Sequence, residues 1–256
     1  MDGNDRQQFE DCRNFAEEIV REAGDLTLKY FRSGVAVEYK EDRSPVTEAD
    51  KETERLLRAR ISERYPEHGL AGEELGVPES RGEWTWVIDP IDGTQAFVHG
   101  VPLYTVLVAL LHGGEPVVGV IHNPGTKETV SAAVGGGCRL NGRPTRVRSC
   151  KRLEEAETCT TDFAVFARDA TELHERVVRE VPLARTWADA YGYLLLATSR
   201  IDMMIDPHMA VWDIAPMYPI IEEAGGRITT IDGRRDPLGT SAVAACPELH
   251  RRLLPA

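Results

Sequence analysis

Nothing in this chain suggests covalent or zinc cross-linking. Its five cysteines, Cys12, Cys138, Cys150, Cys159 and Cys246, are odd in number, scattered and never spaced as CxxC. That excludes a disulfide framework or a zinc ribbon and fits a reducing cytoplasm. Basic residues are outnumbered, 30 Lys and Arg against 42 Asp and Glu, for a net charge of -12. No basic face is left to neutralise phosphates, so nucleic acid is excluded as a partner. The longest apolar run, VPLYTVLVALL at 101–111, is too short to span a bilayer and reads as a buried strand. The polar, acidic start MDGNDRQQFEDC is unlike a signal or transit peptide. His99, His112, His122 and His208 have neither HxH nor HExxH spacing and read as ordinary residues. Internal repeats, low-complexity runs and long linkers are also missing. The chain therefore reads as a cytoplasmic globular protein with no membrane partner, its 256 residues forming one large domain or two closely packed ones.

Two textures follow one another. Phe9, Cys12, Phe15, Ile19, Val20, Ala23, Leu26 and Tyr30 have helical spacing, predicting a helix over 7–31. Alternation at Val35, Val37 and Tyr39 predicts a strand. A polar loop, KEDRSPVTEAD, then precedes a second helix that stops near Tyr65-Pro66. WTWVID, LYTVLVALL, PVVGVIHN and ETVSAAV read as strands. Turns fall at Gly113-Gly114 and Pro124-Gly125, and Asn141-Gly142 marks a hairpin. Beyond residue 150 the elements alternate. ETCTTDF reads as a strand, 168–180 as a helix, RTWAD as the lead into the helix YGYLLLAT, and IDMMID as a strand. WDIAPMYPIIEEAGG reads as a helix, RITTID and SAVAAC as strands, and PELHRRLL as the last helix. The expected class is α/β, with an α+β part over 1–145 and an α/β part over 146–256 packed as one unit.

What the chain does have is carboxylates where an apolar strand ends. In WTWVIDPIDGTQAF, residues 84–97, Asp89 and Asp92 stand three residues apart. Neither can be buried unpaired without a cation or a change of ionisation. Gly93-Thr94 opens a turn whose amides suit an anion. Further acids recur at Glu73-Glu74, Asp206 and Asp213. Singly, each has a plainer explanation: Asp213 as a helix N-cap, Asp92-Gly93 as a turn. Together they are a hard-oxygen donor set of the kind Mg²⁺ takes, in an acidic protein that needs a local cation to hold a phosphate.

GEE at 72–74, WVIDPIDGTQAF and WDIAPMYPIIEEAGG at 212–226 resemble, in order and spacing, the three signatures of the inositol monophosphatase family. The resemblance implies a layered αβαβα fold, a phosphomonoesterase using two or three Mg²⁺ ions, a small-molecule phosphate ester as substrate, and a homodimer. It assigns metal ligation to Glu73, Asp89, Asp92, Asp213 and the carbonyl of Ile91. Thr94 and Asp50, the latter in SPVTEAD, would orient the attacking water, with Glu73 also at the catalytic centre. Gly93 and Thr94 would hold the phosphate, and Glu74 is a neighbouring acid. If Asp213 is the N-cap, Pro216 falls at the third helical position, where a missing N–H is tolerated.

Residues 185–226 most resemble the histidinol-phosphate phosphatase branch, where the strand-to-helix turn reads RTW-small-Asp-x-YGY and a proline precedes Ile-x-Glu-Glu, as Pro219 does here. Gln95 departs from it, standing where that branch commonly has a basic residue. Arg185, Asp189, Asp206 and Asp213 are the expected substrate contacts. Carboxylates at 189 and 206 suit an ammonium, though they would also accept from sugar or inositol hydroxyls.

Overall fold

The computed structural model describes residues 3–41, 43–76, 82–187 and 189–254. Helix α1 (Gly3–Tyr30) leads to a hairpin of β1 (Val37–Tyr39) and β2 (Pro45–Thr47), then to α2 (Glu48–Arg64). Strands β3 (Gly69–Gly72) and β4 (Trp84–Asp92) follow, then the short helix α3 (Thr94–Val98). β5 (Thr105–His112), β6 (Glu115–Asn123), β7 (Glu128–Ala133), β8 (Gly137–Leu140) and β9 (Arg143–Pro144) complete a seven-stranded sheet in chain order. It is antiparallel except for the parallel β3–β4 pair.

β10 (Glu157–Cys159), α4 (Phe163–Asp169), α5 (Thr171–Glu180), β11 (Leu183–Arg185) and α6 (Ala190–Ala197) come next. β12 (Met203–Asp206), α7 (Val211–Ile214), α8 (Met217–Glu223), β13 (Arg227–Thr229), β14 (Ala242–Ala245) and α9 (Pro247–Leu253) end the chain. The second sheet has the order β11-β10-β12-β14-β13 and mixed direction.

Five layers result, αβαβα, as the family resemblance implies. Ile19, Val20 and Leu57 of α1 and α2 pack on Trp86, Ile88, Val106 and Val118, one face of the seven-stranded sheet. Its other face supplies Leu107, Ile121 and Val130 to a core shared with Leu194, Met217, Tyr218 and Ile221 of α6 and α8. The same core continues into Met203, Ile205 and Val243 of the second sheet and reaches Phe166, Val177 and Leu249 of the outer helices. Strands with apolar residues on both faces are what sheets covered on both sides require.

Several elements differ from the sequence prediction, each for a local reason. The polar loop before α2 contains a strand: Pro45, Val46 and Thr47 are buried and pair with β1. The helix expected over 168–180 is two helices. Asp162 caps the first by accepting from the amides of Ala164 and Val165, and the chain breaks at Ala170, φ -140°. RTWAD is preceded by a strand, β11, too short to show a period. The helix expected from Trp212 is α7 and α8, interrupted where Pro216 has no N–H to donate. Asp213 is not its N-cap. Ala210 is, and Asp213 sits three residues in, its Oδ2 accepting from the Ala210 amide at 2.8 Å. Pro216 therefore lies at the junction of α7 and α8. Both prolines press on β6 at Gly119, where an added Cβ would lie 2.2 Å from the Pro216 carbonyl and 2.9 Å from Pro219 Cγ.

Candidate active site

In a regular strand, residues three apart point to opposite faces. Asp89 and Asp92 do not, because β4 is bulged between them. Asp89 pairs with Leu107 and Asp92 with Thr105, three steps against two. The extra residue restores the phase and turns both carboxylates to one side. The bulge contains Pro90, which has no N–H to give a ladder. Val87 shows which side that is: it packs with Ala215 and Trp212, the segment that brings Asp213.

Asp89, Asp92 and Asp213 thus each offer an oxygen within 4.8 Å of the others. Asp89 and Asp92 are buried. Asp89 accepts the Ile91 amide at 3.0 Å; Asp92 Oδ2 accepts Thr105 Oγ1 at 2.8 Å and the Ala190 amide at 2.9 Å. None of the three forms an ion pair with a lysine or arginine among the described residues. Burial first, then repulsion from Glu73, Asp92 and Asp213, pushes the Asp89 carboxyl far above its ordinary range. Burial followed by Asp189 and Asp213 does the same to Asp92, and Asp213 is raised to about 7, chiefly by burial. Three hard oxygens converging with no cationic side chain among them fit a small divalent cation such as Mg²⁺.

Glu73 sits at the end of β3, close enough to raise Asp89, but outside the trio. Its carboxylate pairs with Lys40 Nζ at 2.7 Å, and the same ammonium binds Glu74 at 2.6 Å. Asp50, third residue of α2, closes a capping box: its Oδ2 accepts the Thr47 amide at 2.8 Å and hydroxyl at 2.7 Å. Oδ1 is left facing Thr94 Oγ1 at 3.4 Å, while that hydroxyl donates to the Ile91 carbonyl at 3.0 Å. Asp50, Thr94 and Ile91 are therefore brought together.

Gly93 has φ +80°, and a Cβ there would come within 2.9 Å of Asp189 Oδ2, so glycine is needed for both conformation and space. Asp189 itself has φ +54° and ψ -152°, a region almost confined to glycine. A small cavity of about 60 Å³ is lined by Asp92, Asp189, Asp206, Tyr193, His208 and Asp213. Asp206 is buried and held at both oxygens: Oδ1 accepts the Thr161 amide at 2.8 Å and Oδ2 the Tyr193 hydroxyl at 3.0 Å. Its carboxyl is raised to about 6 by burial. Asp189 is raised to about 7 by burial and then by Asp206, and among the described residues nothing donates a hydrogen bond to its carboxylate. Arg185 is not brought to it: the guanidinium is exposed and donates to the Ala184 carbonyl at 2.8 Å.

Sequence reasoning missed Lys40, Thr105, Thr161 and Tyr193. Only Thr105 left a signal, as a hydroxyl inside an apolar strand register-paired with Asp92. The others meet the site through tertiary packing.

Comparisons with known proteins place the chain in a family. The model of the inositol monophosphatase family matches residues 8–256. A histidinol-phosphatase of Chlorobaculum parvum is 39% identical over 245 residues, 94% of this chain and 94% of the relative. One from Mycobacterium tuberculosis is 35% identical, covering 92% and 94%. Among solved structures, the extragenic suppressor protein SuhB of Bartonella henselae superposes with a TM-score of 0.88 at 26% identity, covering 94% of this chain and 95% of that one. An IMPase of Thermotoga maritima gives 0.87 at 28% identity, covering 95% of each. The chain therefore belongs to the inositol monophosphatase family and is a phosphoric monoester hydrolase.

Proposed function

We propose that the enzyme hydrolyses histidinol phosphate to histidinol and phosphate, with Mg²⁺ held by Asp89, Asp92, Asp213, Glu73 and the Ile91 carbonyl. Bound Mg²⁺ would supply charge stabilisation of the phosphoryl oxygens and a more acidic water. The chain's own groups do the rest. Thr94 Oγ1 and Asp50 Oδ1 lie within a long hydrogen bond of each other, 3.4 Å, so one water could reach both, be oriented by the hydroxyl and give its proton to the carboxylate. The Gly93-Thr94 turn offers its amides to the phosphate. Phosphoryl transfer needs little more than such positioning and charge neutralisation.

The observation that carries the substrate is Asp189. Its carboxylate is partly buried, has no donor among the described residues, and is held in a strained backbone beside Gly93. A polyol would bring hydroxyls; an amino alcohol brings an ammonium, which meets that carboxylate with a charge-assisted bond of about 1.5–3 kcal/mol. Asp206, already saturated by Thr161 and Tyr193, would line the subsite and add negative potential. The histidinol-phosphatase names of the relatives at 35–39% identity support the same substrate. The test is phosphate release from histidinol phosphate, inositol 1-phosphate and fructose 1,6-bisphosphate, each with and without Mg²⁺. The expected result is Mg²⁺-dependent release with kcat/KM for histidinol phosphate about 100-fold above the others. Equal or reversed rates would refute the substrate, and full activity after exhaustive chelation would refute the metal.

A further inference from the structure

Glu54 is wholly buried in α2 and has no part in the chemistry described above. Its Oε2 accepts the Glu74 amide at 2.7 Å and its Oε1 the Leu75 amide at 3.1 Å. Arg58, one turn on, bonds Oε1 through Nε at 2.7 Å and donates from Nη2 to the Gly76 carbonyl at 2.6 Å. The 72–76 turn is thus clasped by one anion and one cation from a single helix. The fit is close: a Cβ at Gly72 would lie 2.3 Å from Glu54 Oε1. Four residues before Glu54, on the same face of α2, stands Asp50. A buried carboxylate that accepts two loop amides and an arginine cannot shift without leaving polar groups unpaired, so the turn is locked to the helix.

We infer that Glu54, held by Arg58, is a positioning residue: it fixes the turn bearing Glu73 at a set distance from Asp50 and Asp89, and so sets the affinity for Mg²⁺. The inference rests on the metal reading proposed above. Glu73 is at present paired with Lys40. It is nevertheless near enough to Asp89 to raise its carboxyl, so the turn already holds it beside the trio. Groups that orient ligands without touching the ion typically govern metal affinity by 10–100-fold.

The test is calorimetric titration of Mg²⁺ into the full-length protein without substrate, for the unaltered chain, Glu54→Gln and Gly72→Ala. Glu54→Gln keeps the volume but loses the charge and one acceptor. Gly72→Ala leaves every polar group in place and drives a methyl into the clasp. Both are expected to bind Mg²⁺ about 10-fold or more weakly. kcat should recover within about 3-fold at saturating Mg²⁺ with substrate KM unchanged, a pattern that loss of stability alone would not give. Should Glu54→Gln not fold, Gly72→Ala carries the test. Mg²⁺ affinity within about 2-fold of the unaltered protein in either folded variant would overturn the inference. Absence of Mg²⁺ binding by the unaltered protein would overturn the metal reading, and this inference with it.

Discussion

The two halves of the site treat their carboxylates differently. At the end of β4, Asp89, Asp92 and Asp213 crowd one another and lack a cationic side chain, yet Asp89 takes one backbone amide, Asp213 another, and Asp92 two donors. Around the neighbouring cavity, Asp206 is satisfied at both oxygens while Asp189 has no donor among the described residues and sits in a strained backbone. The first half is oriented and short only of positive charge, as suits a group of ions. The second leaves one carboxylate open, as suits a single cationic ligand. If the proposed roles hold, substitutions in the two halves should separate chemistry from specificity.

The largest effect is expected at the crowded end. Asp92→Asn should lower kcat/KM on every phosphate ester by on the order of 10³-fold or more, with the protein still folded by circular dichroism. Retention of activity would show that the trio does not hold the metal. Asp189→Asn should act on the second half only. It should cost about 10–100-fold on histidinol phosphate, the value of one charge-assisted bond, and less than about 3-fold on a neutral polyol phosphate. Equal losses on both would erase the distinction between the halves. Tyr193→Phe frees one oxygen of Asp206 from its donor at a cost of about 1–3 kcal/mol in thermal stability, because a buried acceptor is left unpaired. Its effect on turnover should be smaller than that of Asp189→Asn.

Two further outcomes concern stability. Asp189→Gly should raise the melting temperature of the metal-free protein, by removing strain worth about 1–3 kcal/mol, while lowering activity on histidinol phosphate. A fall in both would mean that Asp189 is structural. The second is the pH dependence. Asp189 and Asp213 are raised to about 7 and Asp206 to about 6, all above the ordinary carboxylate value of 3.8, in each case mainly by burial. A group whose folded pKa is raised stabilises the fold fully below its unfolded value, and that stability is lost as pH rises through the folded one. Metal-free protein should therefore lose stability from about pH 4 to pH 7. Saturating Mg²⁺ should remove the share of this slope that comes from Asp213, by taking the place of its proton. A slope unchanged by Mg²⁺ would place the titrating groups outside the metal's reach.

Much of this was legible in the chain. A strand that ends in Asp-Pro-Ile-Asp-Gly-Thr announces buried carboxylates before a turn, which need a cation or a change of ionisation. Helical and strand periods placed α1, α2 and β4 to β7 of the large sheet, where packing on both faces writes itself as apolar runs, but not the four-residue β3. Short elements such as β2 and β11, three residues each, escape because no period fits in three residues. The split of α7 from α8 was missed because the N-cap is Ala210 and not Asp213, which moves Pro216 from the first turn, where its missing N–H is tolerated, to the junction of the two helices.

By itself, then, the sequence determined the donor types: which acids exist, that Gly93 must turn, that Thr94 and Asp50 offer a hydroxyl and a carboxylate. Only the tertiary structure decided their partners. A β-bulge put Asp89 and Asp92 on one face, α7 delivered Asp213 to them, and Lys40 was set beside Glu73. Arg185 was kept from Asp189, Asp206 was satisfied, and Asp189 was left open. The reason is physical: ionisable groups carry the same charge wherever they lie in the chain, but desolvation and neighbours, which the fold alone sets, decide whether that charge is paired, protonated or waiting for a ligand.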